Sequence, residues 1–427
     1  MIIKSSLVKS FFGLGAVRLL SIPLSLMTSV ILARELGPES FGQYSFIMSL
    51  VAIIVLPVSA GLPQLLTREI AAYLNQKNWA LYRGVLHTAH LWVLISSLAI
   101  IGLYFLINTT TSVIPEENKW KLLSIAIFMI LFQGLGAIRD GAIKGLGKPI
   151  FSETPSQLIQ PILVIITYFI LSSLNLLNVK TAIMSQVLIA GVVFLIASWI
   201  FYCLQPLEKK FSSAKYKLKA WVPALIPFTL LALVGTFNSQ IGIVVLGLLS
   251  SDDQIAALRI ADRGATFVAL SLSLVNIIIA PHIVRSFQSK DRNGLQRLAK
   301  QSARGAFCIA LPICFILILA GERLIDIVFG ADYAPMSYYP MIILALAQLI
   351  NVFFGSVGYL LSMSGYANDA LKGHIIGLLS NIILCGLLIP QYGALGAAIG
   401  ISVSVLIWNC VLSYLVYIRL NVISLVL

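Results

Sequence analysis

The stretch Ile399–Tyr417, IGISVSVLIWNCVLSYLVY, runs nineteen residues without a charge. At a helical rise of 1.5 Å per residue it covers about 28 Å, close to the roughly 30 Å of a bilayer's hydrocarbon core. Similar runs occur at Ile95–Ile107 and Leu122–Leu131. A segment in lipid must satisfy its own N–H and C=O groups, so it is either a helix or a strand of a closed barrel. Barrel strands alternate apolar and polar residues over about 10 positions. These runs do not alternate, so the reading is helical. The whole chain agrees: 59% of its 427 residues are hydrophobic and 11% are charged, against about 25% charged in soluble proteins.

The pattern predicts an all-α integral membrane protein with about twelve transmembrane helices. The first covers 8–33, the tenth 337–363 and the last 394–417, and the connections are too short for a separate domain. Lys4 and Lys9 precede the apolar stretch Phe11–Ala33, which is longer than a signal-peptide core and reads as the first span. With the N-terminus placed inside, 21 of the 29 Lys and Arg fall in inside segments, among them Lys209 and Lys210 and the 285–304 region. Nine of the 16 Asp and Glu fall outside, among them Glu116, Glu117, Asp252 and Asp253. Lys/Arg bias sets orientation, so both termini are expected in the cytoplasm. The net charge of +13 is spread over many loops, which suits anionic headgroups and not a nucleic acid. Two stretches that mix basic and apolar residues, 67–84 and 286–304, read as helices lying on the inner leaflet. The five cysteines lie in or beside apolar runs without metal spacing and read as small core residues. There is no Walker A loop, dinucleotide fingerprint or HExxH, so no cofactor, metal or catalytic residue is expected.

The chain echoes itself. Val30–Ala33 leads into Gly37-Pro38-Glu39-Ser40-Phe41-Gly42, and some 214 residues later Val244–Gly247 leads into Ser251-Asp252-Asp253-Gln254-Ile255-Ala256. Lys144-Gly145-Leu146-Gly147-Lys148 is echoed by Ser362-Met363-Ser364-Gly365-Tyr366. The expected organisation is two pseudo-symmetric six-helix bundles, 1–208 and 209–427, as in transporters built from repeats.

Charges inside spans point to function because each costs about 2.5–3.5 kcal/mol to insert. Arg18 sits mid-way along the first span, either facing a cavity or paired structurally. Arg259, Asp262, Arg263 and Thr266 have the spacing of one helical face. They read either as a net-positive ligand stripe or as an interfacial ion cluster. Arginine's planar fork suits phosphate oxygens. Glu153, Gln157 and Gln160 form a polar face beside Pro155 and Pro161. Glu153 could couple to an ion, or pair with Lys144 or Lys148 in the headgroup layer. Asn238 and Gln348 are further polar-cavity candidates, although such amides more often bond helix to helix.

The segment Ile31-Leu32-Ala33-Arg34-Glu35-Leu36-Gly37-Pro38-Glu39-Ser40-Phe41-Gly42-Gln43-Tyr44-Ser45 resembles the start of the Wzx-type O-antigen and polysaccharide flippases. Ala60–Pro63, Arg68-Glu69 and Lys144–Lys148 fit the same pattern. The resemblance implies the fold shared with multidrug and toxic-compound exporters and lipid II flippases. It implies a substrate, a polyprenyl-diphosphate-linked oligosaccharide moved across the cytoplasmic membrane by alternating access, with ion-coupled antiport left open. It further implies Arg18, Arg259 and Arg263 as substrate-binding cations, but fixes no coupling residue; Asp262, Glu153, Gln157, Asn238 and Gln348 stay coupling or polar-cavity candidates from their place in the spans alone. A polysaccharide polymerase and a chain-length regulator are the protein partners implied, alongside membrane lipids. The competing readings are a drug or cation exporter of the same fold, which would want acidic cavity residues, and a membrane polymerase or ligase, which would want a large external loop.

Overall fold

The computed structural model describes residues 5–110, 118–206 and 213–426. Lys4, Glu116, Glu117, Lys209, Lys210 and the expected boundary at 208/209 lie outside the described residues. Every regular element among the described residues is helical.

Helix α1 (Ser5–Ile54) is broken at Gly37, whose φ of 74° is left-handed, a conformation open to glycine at no steric cost. Short α2 (Leu56–Ser59) and α3 (Leu62–Asn75) follow, then α4 (Trp79–Thr110), α5 (Asn118–Ala126) and α6 (Met129–Gly145). Next come α7 (Pro149–Thr154), a π turn (Pro155–Ile159), α8 (Gln160–Ser173) and α9 (Val179–Leu204). The remainder is α10 (Leu218–Leu249), α11 (Asp252–Gln288), α12 (Arg292–Phe329), α13 (Ala334–Phe354), α14 (Val357–Met363) and α15 (Ala367–Leu420). Among the described residues, nine helices are long and apolar enough to cross a membrane. A tenth arises if α5 and α6, bent by 42°, count as one span. Helix α15 has a second left-handed break, at Gly393 (φ 53°).

The residues group into two compact units. One holds Met1–Leu36 with Ile47–Thr236; the other holds Gly37–Phe46 with Phe237–Leu427. The expected halves describe repetition in sequence, whereas these units describe packing. The loops of the second echo, around Gly147 and Gly365, both turn on a left-handed glycine, φ 75° and 84°.

In the first unit α6 packs against α3, α4 and α9. Gly141 and Gly145 of α6 lie directly on Pro63, Leu66 and Ile70 of α3, with no room for a Cβ. Small residues four apart let helix backbones approach in lipid, where van der Waals contact replaces the hydrophobic drive. The break before α3 frees the Ala60 carbonyl, and Thr229 Oγ1 of α10 donates to it at 3.0 Å. In the second unit α11, α12 and α13 pack together and α15 lies on α13 and α14. Because α15 doubles back at Gly393, its two ends meet: Arg419 Nε donates to Asp369 Oδ2 at 2.7 Å, and Lys372 Nζ donates to Oδ1 at 3.0 Å.

Large apolar side chains point outward all along the helices, among them Ile95, Phe169, Leu195, Trp199 and Leu319. Contiguous exposure on this scale marks a surface that water does not cover. It also corrects the cysteine reading: Cys314 and Cys385 are buried, but Cys203, Cys308 and Cys410 are exposed. Lipid-facing and core positions are equally apolar, so hydropathy does not separate them. The two expected surface helices are corrected as well. Residues 67–84 are the end of α3 and the start of α4, with Ile70, Tyr73, Leu81 and Tyr82 buried. Residues 286–304 are likewise shared by α11 and α12, with Leu295, Ala299 and Ala303 buried. The expected tenth span is interrupted at Gly355, where φ is 72°.

The α3–α6 contact is directly testable. Gly141→Val is expected to lower the thermal unfolding temperature in detergent, at an overpacking cost of about 1–3 kcal/mol. Gly136→Ala, with open space around it, is expected to leave it unchanged.

Candidate functional site: the intramembrane charges

In the first unit, α7 begins with Pro149 at its first position and runs into Pro155. Proline cannot donate to the preceding turn, and the helix widens into a π turn over Pro155–Ile159, a distortion frequent at functional sites. The extra residue spoils the expected i, i+4, i+7 face. Glu153 is buried, Gln157 on the π turn is exposed, and Gln160 is half-buried.

Glu153, 7% exposed, is gripped from two sides. Arg18 Nε donates to Oε2 at 3.1 Å and Nη2 to Oε1 at 3.0 Å, the bidentate fork that makes arginine–carboxylate pairs strong. Lys144 Nζ lies 3.5 Å from Oε1 and donates to Asp140 Oδ2 at 2.9 Å. Ser152 Oγ donates to the Asp140 carboxylate as well. Two cations face two carboxylates, so the cluster is formally neutral. Arg18 and Glu153, read separately from sequence, are therefore partners. The Lys144–Glu153 pairing was legible in advance; Asp140 was missed because the fourth span is expected over 120–138 and Asp140 follows it, although its i, i+4 spacing to Lys144 was a signal.

The second unit is different. Arg259, Asp262, Arg263 and Thr266 share one face near the start of α11. Arg259 is half-buried, with Nη2 3.5 Å from the Ser45 carbonyl oxygen. Arg263 Nε is buried without a hydrogen-bond partner. Asp262 is exposed; its carbonyl oxygen accepts from Thr266 Oγ1 at 2.8 Å. Among the described residues no ion pair within 4.0 Å joins its carboxylate to either arginine, and two cations against one carboxylate leave the face net positive. A buried donor without a partner costs about 1–3 kcal/mol, more when charged, unless something accepts from it. Two guanidiniums one turn apart, one with an open donor, suit an anion with several oxygens, such as a diphosphate. Among the described residues no three His, Cys, Asp or Glu side chains gather as metal ligands would.

A family model described as "Polysaccharide biosynthesis protein" matches residues 7–287, about two thirds of the chain. The chain belongs to this polysaccharide biosynthesis protein family. A protein of Haloferax volcanii named as a low-salt glycan biosynthesis flippase, Agl15, is 21% identical over 381 residues, covering 87% of this chain and 75% of that one. A protein of Shigella flexneri named as an O-antigen transporter is 25% identical over 437 residues, covering 97% of each. Among solved structures, an inward-facing multidrug-resistance MATE transporter of the MOP superfamily superposes with a TM-score of 0.77 at 14% identity, covering 94% of each chain. The lipid II flippase MurJ, in an inward closed conformation, superposes with a TM-score of 0.73 at 17% identity, covering 94% of this chain and 87% of that one. The chain thus has the MATE/MOP fold.

The remaining candidates of this polysaccharide biosynthesis family member hold helices together. Asn238 Nδ2 of α10 donates to the His374 carbonyl of α15 at 3.2 Å. Gln348 Oε1 accepts from Asn351 Nδ2 at 3.2 Å, and Asn351 Oδ1 accepts from Asn409 Nδ2 at 3.0 Å, linking α13 to α15. The triad Asp369, Lys372 and Arg419 was missed. Its Asp369–Lys372 spacing was visible, but Arg419 is fifty residues away and joins only because α15 doubles back.

Pairing separates the arginines experimentally. Arg18→Ala leaves Glu153 buried with Lys144 alone, so it is expected to lower the unfolding temperature more than Arg263→Ala does. Adding Glu153→Gln to Arg18→Ala should restore part of the loss: Arg18 is exposed and Glu153 buried, so the cost lies in the buried carboxylate left short of a partner. Thermal unfolding of the three variants in one detergent checks this.

Proposed function

We propose that this protein moves a polyprenyl-diphosphate-linked oligosaccharide across the cytoplasmic membrane by alternating access, supplying repeat units for O-antigen or another surface polysaccharide. The observation that carries the reading is the Arg259–Arg263 face of α11, with a buried guanidinium donor left open in a member of a polysaccharide biosynthesis family. The names of the Haloferax and Shigella relatives support the same substrate class. The diphosphate would dock on the two arginines, and the lipid tail can remain in the bilayer.

The proposed topology is twelve spans with both termini cytoplasmic. Its support is the ten candidates, counting the bent α5–α6 pair, together with the breaks at Gly37 and Gly393, each of which divides a helix too long for one crossing. The repeated halves remain 1–208 and 209–427 in this proposal. Arg18 takes a positioning role, holding Glu153. If transport is ion-coupled, Asp262 is the first candidate, because its carboxylate is exposed and unpaired while Glu153 is held by two cations. Interaction with a polymerase and a chain-length regulator belongs to the same proposal. A cation exporter of this fold is disfavoured because the buried carboxylates Glu153 and Asp369 are both occupied by Lys and Arg.

The test uses purified protein in vesicles loaded with a fluorescent polyprenyl-diphosphate-linked oligosaccharide, with a membrane-impermeant quencher added outside. The wild type is expected to equilibrate the lipid between leaflets. Arg259→Ala with Arg263→Ala should slow this at least about tenfold, the loss of one or two charge-assisted hydrogen bonds. Arg263→Lys should fall between, keeping charge but losing the fork. Wild-type flipping by the double alanine variant would contradict the assignment.

A further inference from the structure

The second unit holds an open-mouthed cavity of about 420 Å³ between α11, the end of α13, helix α14 and two stretches of α15. That volume is within the range of small-molecule sites, roughly 300–1,000 Å³. Its wall combines Asn276, Asn351, Asn409, Ser356, His374 and Trp408. Among the described residues, no Asp, Glu, Lys or Arg lines it. Within lipid this is an unusual concentration of neutral hydrogen-bonding groups.

Two of those groups are unspent. Asn276, 8% exposed, has a buried Oδ1 with no hydrogen-bond partner, and Ser356, 4% exposed, has a buried Oγ with none. Buried polar groups are normally paired, and each exception needs a physical reason. The amides that are paired form a fixed frame: Gln348 to Asn351 to Asn409, with Asn409 Nδ2 also donating to the Val405 carbonyl at 2.8 Å. The aromatic wall is fixed too. His374 and Trp408 pack edge to face with centroids 5.4 Å apart. Gly377 leaves no room for a Cβ against Trp408, so the indole lies on the α15 backbone.

We infer that this cavity binds a neutral sugar ring of the transported oligosaccharide, separately from the diphosphate. The inference rests on the lipid-linked oligosaccharide reading above. A pyranose offers two chemistries at once: a C–H face that packs on an aromatic ring, and a rim of hydroxyls that both donate and accept. The cavity offers the complement: the Trp408 indole, an amide acceptor at Asn276 and a hydroxyl at Ser356 that can do either. An anionic headgroup finds no cation here, and a cation finds no carboxylate. A purely apolar ligand would leave Asn276 Oδ1 and Ser356 Oγ unsatisfied. The division of labour follows: arginines on α11 hold the charge common to all polyprenyl-diphosphate carriers, and the neutral cavity reads the sugar.

The experiment titrates purified full-length protein with a panel of neutral disaccharides and, separately, with inorganic diphosphate. Trp408 fluorescence is read as the difference between wild type and Trp408→Phe. At least one disaccharide is expected to give a saturable Trp408 signal, and diphosphate none. Ser356→Ala removes a hydroxyl. Gly358→Ala narrows the cavity by one methyl that meets only ordinary contacts, 3.7 Å from His374 Nε2, so both variants should fold. Each is expected to weaken the disaccharide about tenfold. No saturable signal from any disaccharide, or unchanged affinity in both variants, overturns the inference. Flipping measured on the same preparations separates the two claims: flipping without a sugar signal sinks the cavity assignment alone, and a sugar signal without flipping supports the cavity and sinks the transport reading.

Discussion

A charge or amide in the hydrocarbon of a membrane has no water to turn to, and this constraint organises the polar chemistry of the whole chain. Each buried polar group must find a partner in the protein, bind a ligand, or cost several kcal/mol. Most have found partners. Glu153 takes Arg18 and Lys144; Asp369 takes Lys372 and Arg419; Asn238 and Asn409 tie helices together. Those pairings read as structure. Among the described residues nine buried side-chain atoms remain without a partner, Asn238 Oδ1 among them; Arg263 Nε is the one that belongs to a guanidinium, and Asn276 Oδ1 and Ser356 Oγ are two that fall together in one cavity.

The backbone follows the same constraint. Helices break where the freed groups are caught or where a glycine turns the chain. The Ala60 carbonyl, released by the left-handed Gly61, accepts from Thr229. The break at Gly393 lets one continuous run of apolar sequence return on itself, and the ion triad at Asp369 closes the hairpin. Close approach of α3 and α6 over Gly141 and Gly145 supplies packing that lipid would otherwise provide equally well.

The fold class was legible because a water-soluble fold rarely holds uncharged helical runs of bilayer length, and the resemblance of residues 31–45 pointed to the right family. The helical face of Arg259, Asp262, Arg263 and Thr266 was also readable, since an uninterrupted helix keeps its period. The face of Glu153, Gln157 and Gln160 was not, because Pro155 inserts a π turn that shifts the register. Partners distant in sequence were invisible: Arg18 and Glu153 are 135 residues apart, and Asp369 and Arg419 are 50. Core and lipid-facing cysteines looked alike because both environments are apolar. The neutral cavity was hidden because Asn276, Asn409 and Ser356 are isolated polar residues in separate apolar stretches, and only their convergence gives them meaning.

The central claim is that Arg18, ion-paired to Glu153, is structural, and that the α11 face carrying the open Arg263 Nε meets substrate. The most direct measurement is the affinity of purified protein for a soluble short-chain prenyl diphosphate, comparing Arg18→Ala with the Arg259→Ala, Arg263→Ala double variant. The account predicts near-wild-type affinity for folded Arg18→Ala and a loss of about tenfold or more for the double variant. Equal loss in both, or loss in Arg18→Ala alone, would contradict it.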